Sequence, residues 1–195
     1  MTRVCLLTAT AVVAATAAIG ATVTVATDFR QIVATSTVIV RGHVTDVRVI
    51  APLSGGRSLS QVETVATVAV DATLKGSADT FISVRVPGGR VGNLNVITVD
   101  SPQLSAGEVA IFFLHAGADQ ALRPVGLSLG VYPVALDPQT RQTAVTPPLA
   151  AGLTAAIGPV VHGDRARKLM TVTEFESLVR LVIAGQARMG PRGKS

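Results

Sequence analysis

The sequence predicts a mainly β protein, either a small antiparallel barrel or a sandwich, with one α-helix near its C-terminus. About seven short apolar stretches, several of which alternate apolar and polar residues, are separated by glycine, proline and aspartate turn signals. One later stretch instead has apolar residues at helical spacing. Charged residues make up 15% of the 195 residues and apolar residues 48%, which is typical of a folded chain.

The first predicted strand is Thr37–Ile50, in which the apolar positions change parity in a run that contains Gly42. Such a change indicates a bend or bulge, and a bent first strand with a glycine suits the closure of a small barrel. The second predicted strand, Val62–Leu74, alternates cleanly and is expected to be half-buried. The other predicted strands are Thr80–Val86, Leu94–Val99, Val109–His115, Ala121–Leu129 and Val131–Leu136.

A helix is predicted after Met170. Thr171 and Glu174 match a capping box, and Met170 with Phe175 matches a hydrophobic staple. Apolar residues then recur at positions i, i+3, i+4, i+7 and i+8, and Gly185 is the expected end of the helix. We expect this helix to dock on the barrel or on a partner.

The N-terminus resembles a secretory signal peptide, predicted to span residues 1–26. Arg3 precedes a weakly hydrophobic, uncharged run rich in Ala, Val, Leu and Thr, with candidate cleavage points after Ala21 and Ala26. The chain is therefore expected to be secreted, or to be periplasmic or in the cell envelope. The alternative is an uncleaved membrane anchor, because the uncharged run extends from Val4 to Thr27.

The remaining domain boundaries follow composition. Residues 27–146 are the predicted β-barrel domain, residues 147–168 a Pro/Gly/Ala-rich linker, and residues 169–195 the helix and a basic tail. Residues 27–150 carry nine basic and nine acidic side chains, whereas residues 151–195 carry seven basic and three acidic ones. The excess positive charge thus lies outside the barrel, and the chain has no Trp and one Tyr, so nucleic-acid binding is not expected.

The stretch "VPGGRVGN" is the candidate contact loop, with Gly88, Gly89, Arg90 and Asn93 as candidate contact residues. Its glycine spacing matches a phosphate-binding or dinucleotide-binding loop only in part, since no lysine follows and strand-like residues stand where a helix would begin. We therefore expect a connection between two strands and no cofactor. Arg90 would then present its charge at the tip of the loop.

No residue pattern predicts catalysis or metal binding. His43, His115 and His162 are far apart and lack the close pairing of metal ligands. The single cysteine, Cys5, lies in the predicted signal peptide, so neither a disulfide framework nor a thiol nucleophile is expected. There is no Gly-x-Ser-x-Gly elbow. The prediction is a non-enzyme, with a dispersed Ser-His-Asp hydrolase as a lesser alternative.

Three segments resemble the netrin-like domains of bacteria, a module shared with tissue inhibitors of metalloproteinases. They are "STVIVRGHVTDV" (Ser36–Val47), "VAVDATLKG" (Val68–Gly76) and "LSAGEVAIFFL" (Leu104–Leu114). The resemblance implies a small OB-like, netrin-like antiparallel barrel with additional strands. It does not carry over the inhibitory mechanism of that class, which needs an N-terminal cysteine that this chain lacks after Cys5.

Together these features predict a secreted, non-enzymatic binding or accessory module that acts through protein–protein contact. The expected partner is a secreted or envelope protein, conceivably a protease, and a membrane is expected as partner only if the N-terminal segment stays uncleaved. Exposed contact regions would be Leu53–Ser60, Pro87–Asn93 or the C-terminal helix. The alternative function is a protease inhibitor-like or protease-accessory domain that works without a zinc-chelating cysteine.

Overall fold

The computed structural model describes residues 29–51, 62–138, 140–146 and 170–189. The predicted signal peptide, the predicted linker and the basic residues after Met189 lie outside the described residues. The elements, in chain order, are α1 (Phe29–Thr35), β1 (Val38–Ile50), β2 (Glu63–Lys75), β3 (Phe81–Pro87), β4 (Gly89–Val91), β5 (Leu94–Val96), β6 (Val109–Ala116), β7 (Leu122–Pro124), a 3-10 helix (Leu127–Gly130), β8 (Val131–Leu136), β9 (Thr143–Val145), β10 (Met170–Thr171) and α2 (Val172–Met189).

Five strands close into a barrel in the order β1–β2–β3–β7–β6, and β6 pairs with β1 again. The pairs are antiparallel except β3 with β7, which are parallel and joined by a single register pair, Val84 with Leu122. This arrangement confirms the predicted small OB-like barrel. The predicted additional strands are present as β8, β9 and β10, which continue the sheet from β6, and as the separate pair β4–β5.

Gly42 lies where β1 bends, and the bent strand pairs with β2 along one edge and with β6 along the other. The register of β1 against β2 shifts between Arg41 and Gly42 and again between Val44 and Asp46, which confirms the predicted bend. A Cβ on Gly42 would collide with the carbonyl oxygen of Ala69 and would lie 2.7 Å from Val68 Cγ1. Only glycine therefore lets the two strands approach closely enough at this bulge.

Two hydrophobic cores lie on opposite sides of the barrel wall. The core inside the barrel is lined by Val40, Val44, Ala66, Val68, Ile82, Val84, Val86, Leu104, Ala110, Phe112, Leu114 and Val131. The second core lies between the barrel wall and the two helices, where Phe29, Phe113, Tyr132 and Phe175 pack ring against ring. Strand β6 serves both cores, because alternate side chains point inward and outward, and Ile111–Leu114 are all buried.

The predicted C-terminal helix is confirmed with its cap. Glu174 Oε2 accepts hydrogen bonds from the Thr171 backbone N–H at 3.0 Å and from its hydroxyl at 2.8 Å, and the Glu174 N–H donates to Thr171 Oγ1 at 3.3 Å. These bonds hold the pKa of Glu174 below its ordinary value. Phe175 and Val179 are fully buried against the barrel wall, so α2 docks on this chain's own barrel.

The prediction that Gly185 ends this helix is wrong, since α2 continues to Met189. An interior glycine costs only about 1 kcal/mol relative to alanine, which does not by itself end a packed helix. The last turn of α2, after Gly185, is bonded to α1, because Gln186 Nε2 donates to the Arg30 carbonyl oxygen at 2.7 Å. Arg41 also bonds α2 to the barrel, with Nε 2.9 Å from Glu176 Oε1.

A second helix, α1, was not predicted. Its seven residues present Phe29, Ile32 and Val33 to the second core at positions i, i+3 and i+4. Lys75 Nζ donates to its C-terminal carbonyls, to Val33 O at 2.7 Å and to Ala34 O at 3.3 Å. Partial burial lowers the pKa of the Lys75 ammonium group. This short helix is stabilised by tertiary contacts, because its length alone would leave it marginal.

Two predicted strands are shorter in the structure. The strand predicted at Leu94–Val99 ends at Val96. The one predicted at Ala121–Leu129 divides into β7 and the 3-10 helix, because Gly126 adopts a left-handed conformation with φ 62°.

Candidate contact surface

The predicted contact loop is part of a short β-hairpin at the end of the barrel where β1 ends and β2 begins. Gly89 pairs with Val96 and Val91 with Leu94, which leaves Gly92 and Asn93 as the two-residue turn. Gly92 has a φ of 58°, the positive value that tight hairpin turns require. A strand and not a helix follows Gly92, so the predicted connection between strands is confirmed.

The base of the hairpin is fixed to the barrel by three hydrogen bonds. The Gly88 N–H donates to the Val62 carbonyl at 2.7 Å, and Thr64 Oγ1 donates to the Gly88 carbonyl at 2.8 Å. Ser101 Oγ donates to the Pro87 carbonyl at 2.7 Å. The hairpin is therefore presented in one orientation relative to the barrel.

Side chains alternate along each strand, so the hairpin has one apolar face and one polar face. The apolar face carries Gly89, Val91, Leu94 and Val96, and the polar face carries Arg90 and Asn95. Gly89 lies against the end of β1, where an added Cβ would be 3.0 Å from both γ-methyl groups of Val49. The apolar face thus continues from the hairpin onto β1.

Six of the nine exposed large apolar side chains among the described residues lie at this end of the barrel. The exposed fractions are 76% for Ile97, 74% for Val99, 58% for Leu94, 37% for Val91 and 36% each for Val49 and Ile50. We call these six residues the hairpin-end patch. Apolar residues gathered in this way mark an interaction surface more often than scattered ones do.

Two arginines accompany the patch. Arg48 on β1 and Arg90 on β4 are exposed, and Arg90 Nε donates to the Gly92 carbonyl at 3.3 Å. Neither guanidinium forms an ion pair with another residue in the described ranges. This end of the barrel therefore carries exposed aliphatic side chains together with arginines, one of them on the polar face of the hairpin, that form no ion pair with the described residues.

The four candidate contact residues divide into two pairs. Gly88 is buried and Gly89 is half-buried, and both have positive φ, 94° and 143° respectively. A Cβ on Gly88 would lie 2.7 Å from the Val96 carbonyl oxygen, so these glycines shape the base of the hairpin. Arg90 and Asn93 are exposed and are available for contact.

Sequence reasoning missed the most exposed part of the surface. Ile97 and Val99 lie in the segment Leu94–Val99, which the sequence predicts to be a strand. In the structure the chain turns after Val96, and the Ser101 N–H donates to the Thr98 carbonyl at 3.2 Å. No signal within this segment distinguishes an exposed apolar loop from a buried strand, because its residues are uncharged and mostly apolar.

His43 belongs to a His–Asp pair on the outer barrel wall. Its Nδ1 is 3.2 Å from Asp71 Oδ1, with the two side chains 45% and 34% exposed. A hydrolase of the triad type also needs a hydroxyl or thiol bonded to the other imidazole nitrogen. No serine, threonine or cysteine of the described chain makes that bond.

Three other groups have buried polar atoms that make no hydrogen bond within the described residues: Asp100 Oδ1, His115 Nδ1 and Ser128 Oγ. The Ser128 backbone N–H donates to the Asp100 carbonyl at 2.9 Å, so these two residues are neighbours. Their side chains do not bond to one another or to His115. In the same ranges, no cluster of three or more His, Cys, Asp or Glu residues is placed to hold a metal ion.

The outer side of α2 offers a second, smaller surface. A shallow groove of about 330 Å³ is lined by Met170, Thr173, Glu174, Ser177, Leu178 and Leu181. Leu181 is 70% exposed, and it is an isolated exposed leucine on a helix, unlike the clustered residues of the hairpin-end patch. None of the helices in the described part of the chain is both long and apolar enough to cross a bilayer.

Comparison with models of known protein families finds no family that matches this chain, and comparison with curated proteins finds no significant match.

Proposed function

We propose that this chain is an exported, non-enzymatic binding module that contacts a secreted or envelope protein through the hairpin-end patch. The observation that carries the proposal is the clustering of exposed aliphatic side chains, with Ile97 and Val99 each about three-quarters exposed. Arg48 and Arg90 are exposed at the same end of the barrel and add positive charge there. Exposed apolar side chains accompanied by arginine are typical of protein-binding surfaces, in which arginine is enriched.

The rigid base of the hairpin supports the same function. The hydrogen bonds to Gly88 and Pro87 hold the patch in one orientation before any partner arrives. Binding then costs less conformational entropy than it would for a mobile loop. Support for a non-enzymatic role comes from His43, whose imidazole meets Asp71 and no nucleophile among the described residues.

A photoreactive amino acid at position 97 tests this proposal in the host that produces the protein. We expect irradiation to yield a discrete adduct with another protein at position 97 and none at position 136, where Leu136 is 59% exposed outside the patch. The neighbouring Val99 side chain should also be required, so that Val99→Asp abolishes the adduct formed at position 97. Equal labelling at both positions would contradict the proposal.

A second candidate function is that of a protease-directed inhibitor or accessory domain of the netrin-like type. The specific observation in its favour is the closed five-stranded OB-like barrel, which is the architecture that the resemblance implied. Fold alone does not establish function, so this candidate needs a direct test. The purified protein should slow hydrolysis by a protease secreted from the same host, and Val99→Asp should relieve the inhibition.

Export itself is open to a simple measurement. N-terminal sequencing of the protein from the culture medium or envelope should show cleavage after Ala21 or Ala26. An intact N-terminus in the membrane fraction would instead support the uncleaved anchor.

A further inference from the structure

We infer that Met170 is an oxidation site, and that conversion of its thioether to the sulfoxide by a hydroperoxide loosens the attachment of α2 to the barrel. The site shares no residue with the hairpin-end patch and goes beyond the proposed function. Three observations carry it, namely the position of Met170 at the start of α2, its contact with both the second core and the groove on α2, and the composition of that core.

The sulfur available to an oxidant is confined to a few residues of this chain. Residues 27–195 contain no cysteine and two methionines, Met170 and Met189. A peroxide that meets these residues therefore encounters thioethers and no thiol, and it oxidises a thioether to a sulfoxide.

Met170 lies at the point where the chain leaves the barrel sheet and begins α2. It pairs with Val145 in the two-residue strand β10, and the capping box of Thr171 and Glu174 follows directly. Its side chain packs against the second core, which also contains Phe175 in the first turns of α2. This arrangement is a hydrophobic staple, which fixes the direction in which a chain enters a helix.

The side chain of Met170 contacts two different environments. It is half-buried and packs against the apolar second core, and it also lines the shallow groove on the outer side of α2. Thr173 and Ser177, which are both exposed, line the same groove. A small hydroperoxide can therefore reach the Met170 side chain from solvent while the chain stays folded.

The reaction needs no other group of the protein. The thioether sulfur attacks the outer oxygen of the hydroperoxide, the O–O bond breaks and an S–O bond forms. The sulfur loses two electrons to the peroxide, and the proton of the transferred oxygen passes to the leaving oxygen. The hydroperoxide is thereby reduced to an alcohol, or to water when the oxidant is hydrogen peroxide.

The sulfoxide suits the groove better than the core. Its oxygen is a hydrogen-bond acceptor, and burial of an acceptor without a donor is costly. Tyr132 carries the only polar side-chain group among the described residues of the second core, whereas the groove offers solvent and the Thr173 hydroxyl. The oxidised side chain should therefore turn out of the core into the groove, and α2 then loses the staple at its first turn.

Amide hydrogen exchange of the full chain, before and after treatment with hydrogen peroxide, tests the inference. Mass spectrometry of the peptide that contains Met170 should first show the gain of one oxygen. We then expect the amides of α2 to exchange about tenfold faster, because loss of an apolar contact makes local opening of the helix more frequent. The amides of β1 should exchange as before, since Met170 is not part of the core inside the barrel.

Matched variants separate oxidation of this sulfur from other effects of peroxide. Met170→Leu keeps an apolar side chain of similar volume without a thioether, so its α2 should exchange at the same rate with and without peroxide. Met189→Leu should respond as the parent does. Met170→Gln places a polar side chain at the same position and should show the faster exchange without any oxidant. Methionine sulfoxide reductase should restore slow exchange in the oxidised parent.

Three results would overturn the inference. The first is a Met170 side chain that stays unoxidised in the folded chain under conditions that oxidise free methionine. The second is complete oxidation at position 170 with unchanged exchange of the α2 amides. The third is acceleration by peroxide that persists in Met170→Leu, which would assign the effect to a different residue.

Discussion

Arg123 Nη2 lies 2.9 Å from Glu63 Oε1 across the parallel junction of the barrel, so a β7 side chain is bonded to β2 over the intervening strand β3. The same guanidinium bonds Asp119 in the turn before β7. Arg85 on β3 completes the group, with Nη1 3.5 Å from Glu63 and 3.6 Å from Asp119. Because β3 and β7 share a single register pair, these side chains add bonds at the junction of the barrel where backbone pairing is sparse.

Loss of Arg123 should therefore destabilise the protein more than loss of an ordinary surface arginine. We expect Arg123→Ala to lower the free energy of unfolding by about 1–2 kcal/mol, because it leaves two carboxylates without their shared donor. Arg123→Lys should retain only part of the lost free energy of unfolding, since an ammonium group cannot bond both carboxylates in the fork geometry of a guanidinium. Denaturant unfolding measures the effect, with the exposed Arg48→Ala as control. Equal losses in Arg123→Ala and Arg48→Ala would show that the junction does not depend on these charges.

The same group predicts a dependence of stability on pH. The hydrogen bond from Arg123 holds the pKa of Asp119 well below its usual range, and the Ala121 N–H, 3.2 Å from Oδ1, acts in the same direction. A carboxyl whose pKa is lower in the folded state adds stability above its unfolded pKa of about 3.9 and loses it progressively as the pH falls further. Asp119→Asn should thus be less stable than the parent at neutral pH, and the difference should shrink below about pH 4.

Urea unfolding at a series of pH values measures this difference. Asp79→Asn is the matched control, because Asp79 is exposed and forms no hydrogen bond or ion pair with the described residues. A gap between parent and Asp119→Asn that stayed constant from neutral to strongly acidic pH would exclude the linkage.

The sequence predicted the barrel better than the surface, for physical reasons that particular residues show. Alternation of apolar residues located β2, and the parity change around Gly42 located the bend of β1, because burial inside a barrel imposes both patterns. Thr171 and Glu174 located the start of α2, because a capping box is a local interaction. Each of these features is encoded within a few residues along the chain.

Features that depend on distant contacts were not predictable in this way. Helix α1 is held by Lys75, which is far from it in sequence, and α2 continues past Gly185 with a bond from Gln186 to Arg30. At the candidate surface, Arg90 and Asn93 were identified correctly as exposed, but Ile97 resembles any core residue until the fold shows that nothing covers it. Exposure of an apolar side chain is a property of the assembled structure.

Replacement of Gly42 and of Gly185 by alanine should change the stability of the protein in opposite directions. Gly42→Ala should destabilise the protein by about 1–3 kcal/mol or more, because the new methyl group would meet the Ala69 carbonyl and Val68 at the bulge. Gly185→Ala should stabilise it by about 0.5–1 kcal/mol, because the added Cβ meets no atom within 4 Å beyond the adjoining backbone of its own helix, and alanine is the better helix former. Thermal unfolding of the two variants beside the parent checks both signs. A stabilised Gly42→Ala would mean that the strands can separate at the bulge without cost.

Phe175 is expected to be the residue that holds α2 to the barrel. Its ring is fully buried, and the ring centroid lies 5.6 Å from that of Phe29 and 5.1 Å from that of Tyr132. Phe175→Ala should cost about 3–5 kcal/mol, because it removes apolar contacts and leaves a cavity at the centre of the second core. Phe81→Ala makes the same chemical change at a side chain that is 59% exposed, and should cost less than about 0.5 kcal/mol.

Tyrosine fluorescence can follow this cluster directly, since the chain has one Tyr and no Trp. Tyr132 emission should change in Phe175→Ala under native conditions and stay as in the parent in Phe81→Ala. Amide hydrogen exchange should then show faster opening of α2 than of β1, because the core inside the barrel does not contain Phe175. Equal acceleration in both elements would show instead that the two cores unfold as one cooperative unit, with Phe175 stabilising the whole chain and not the helix alone.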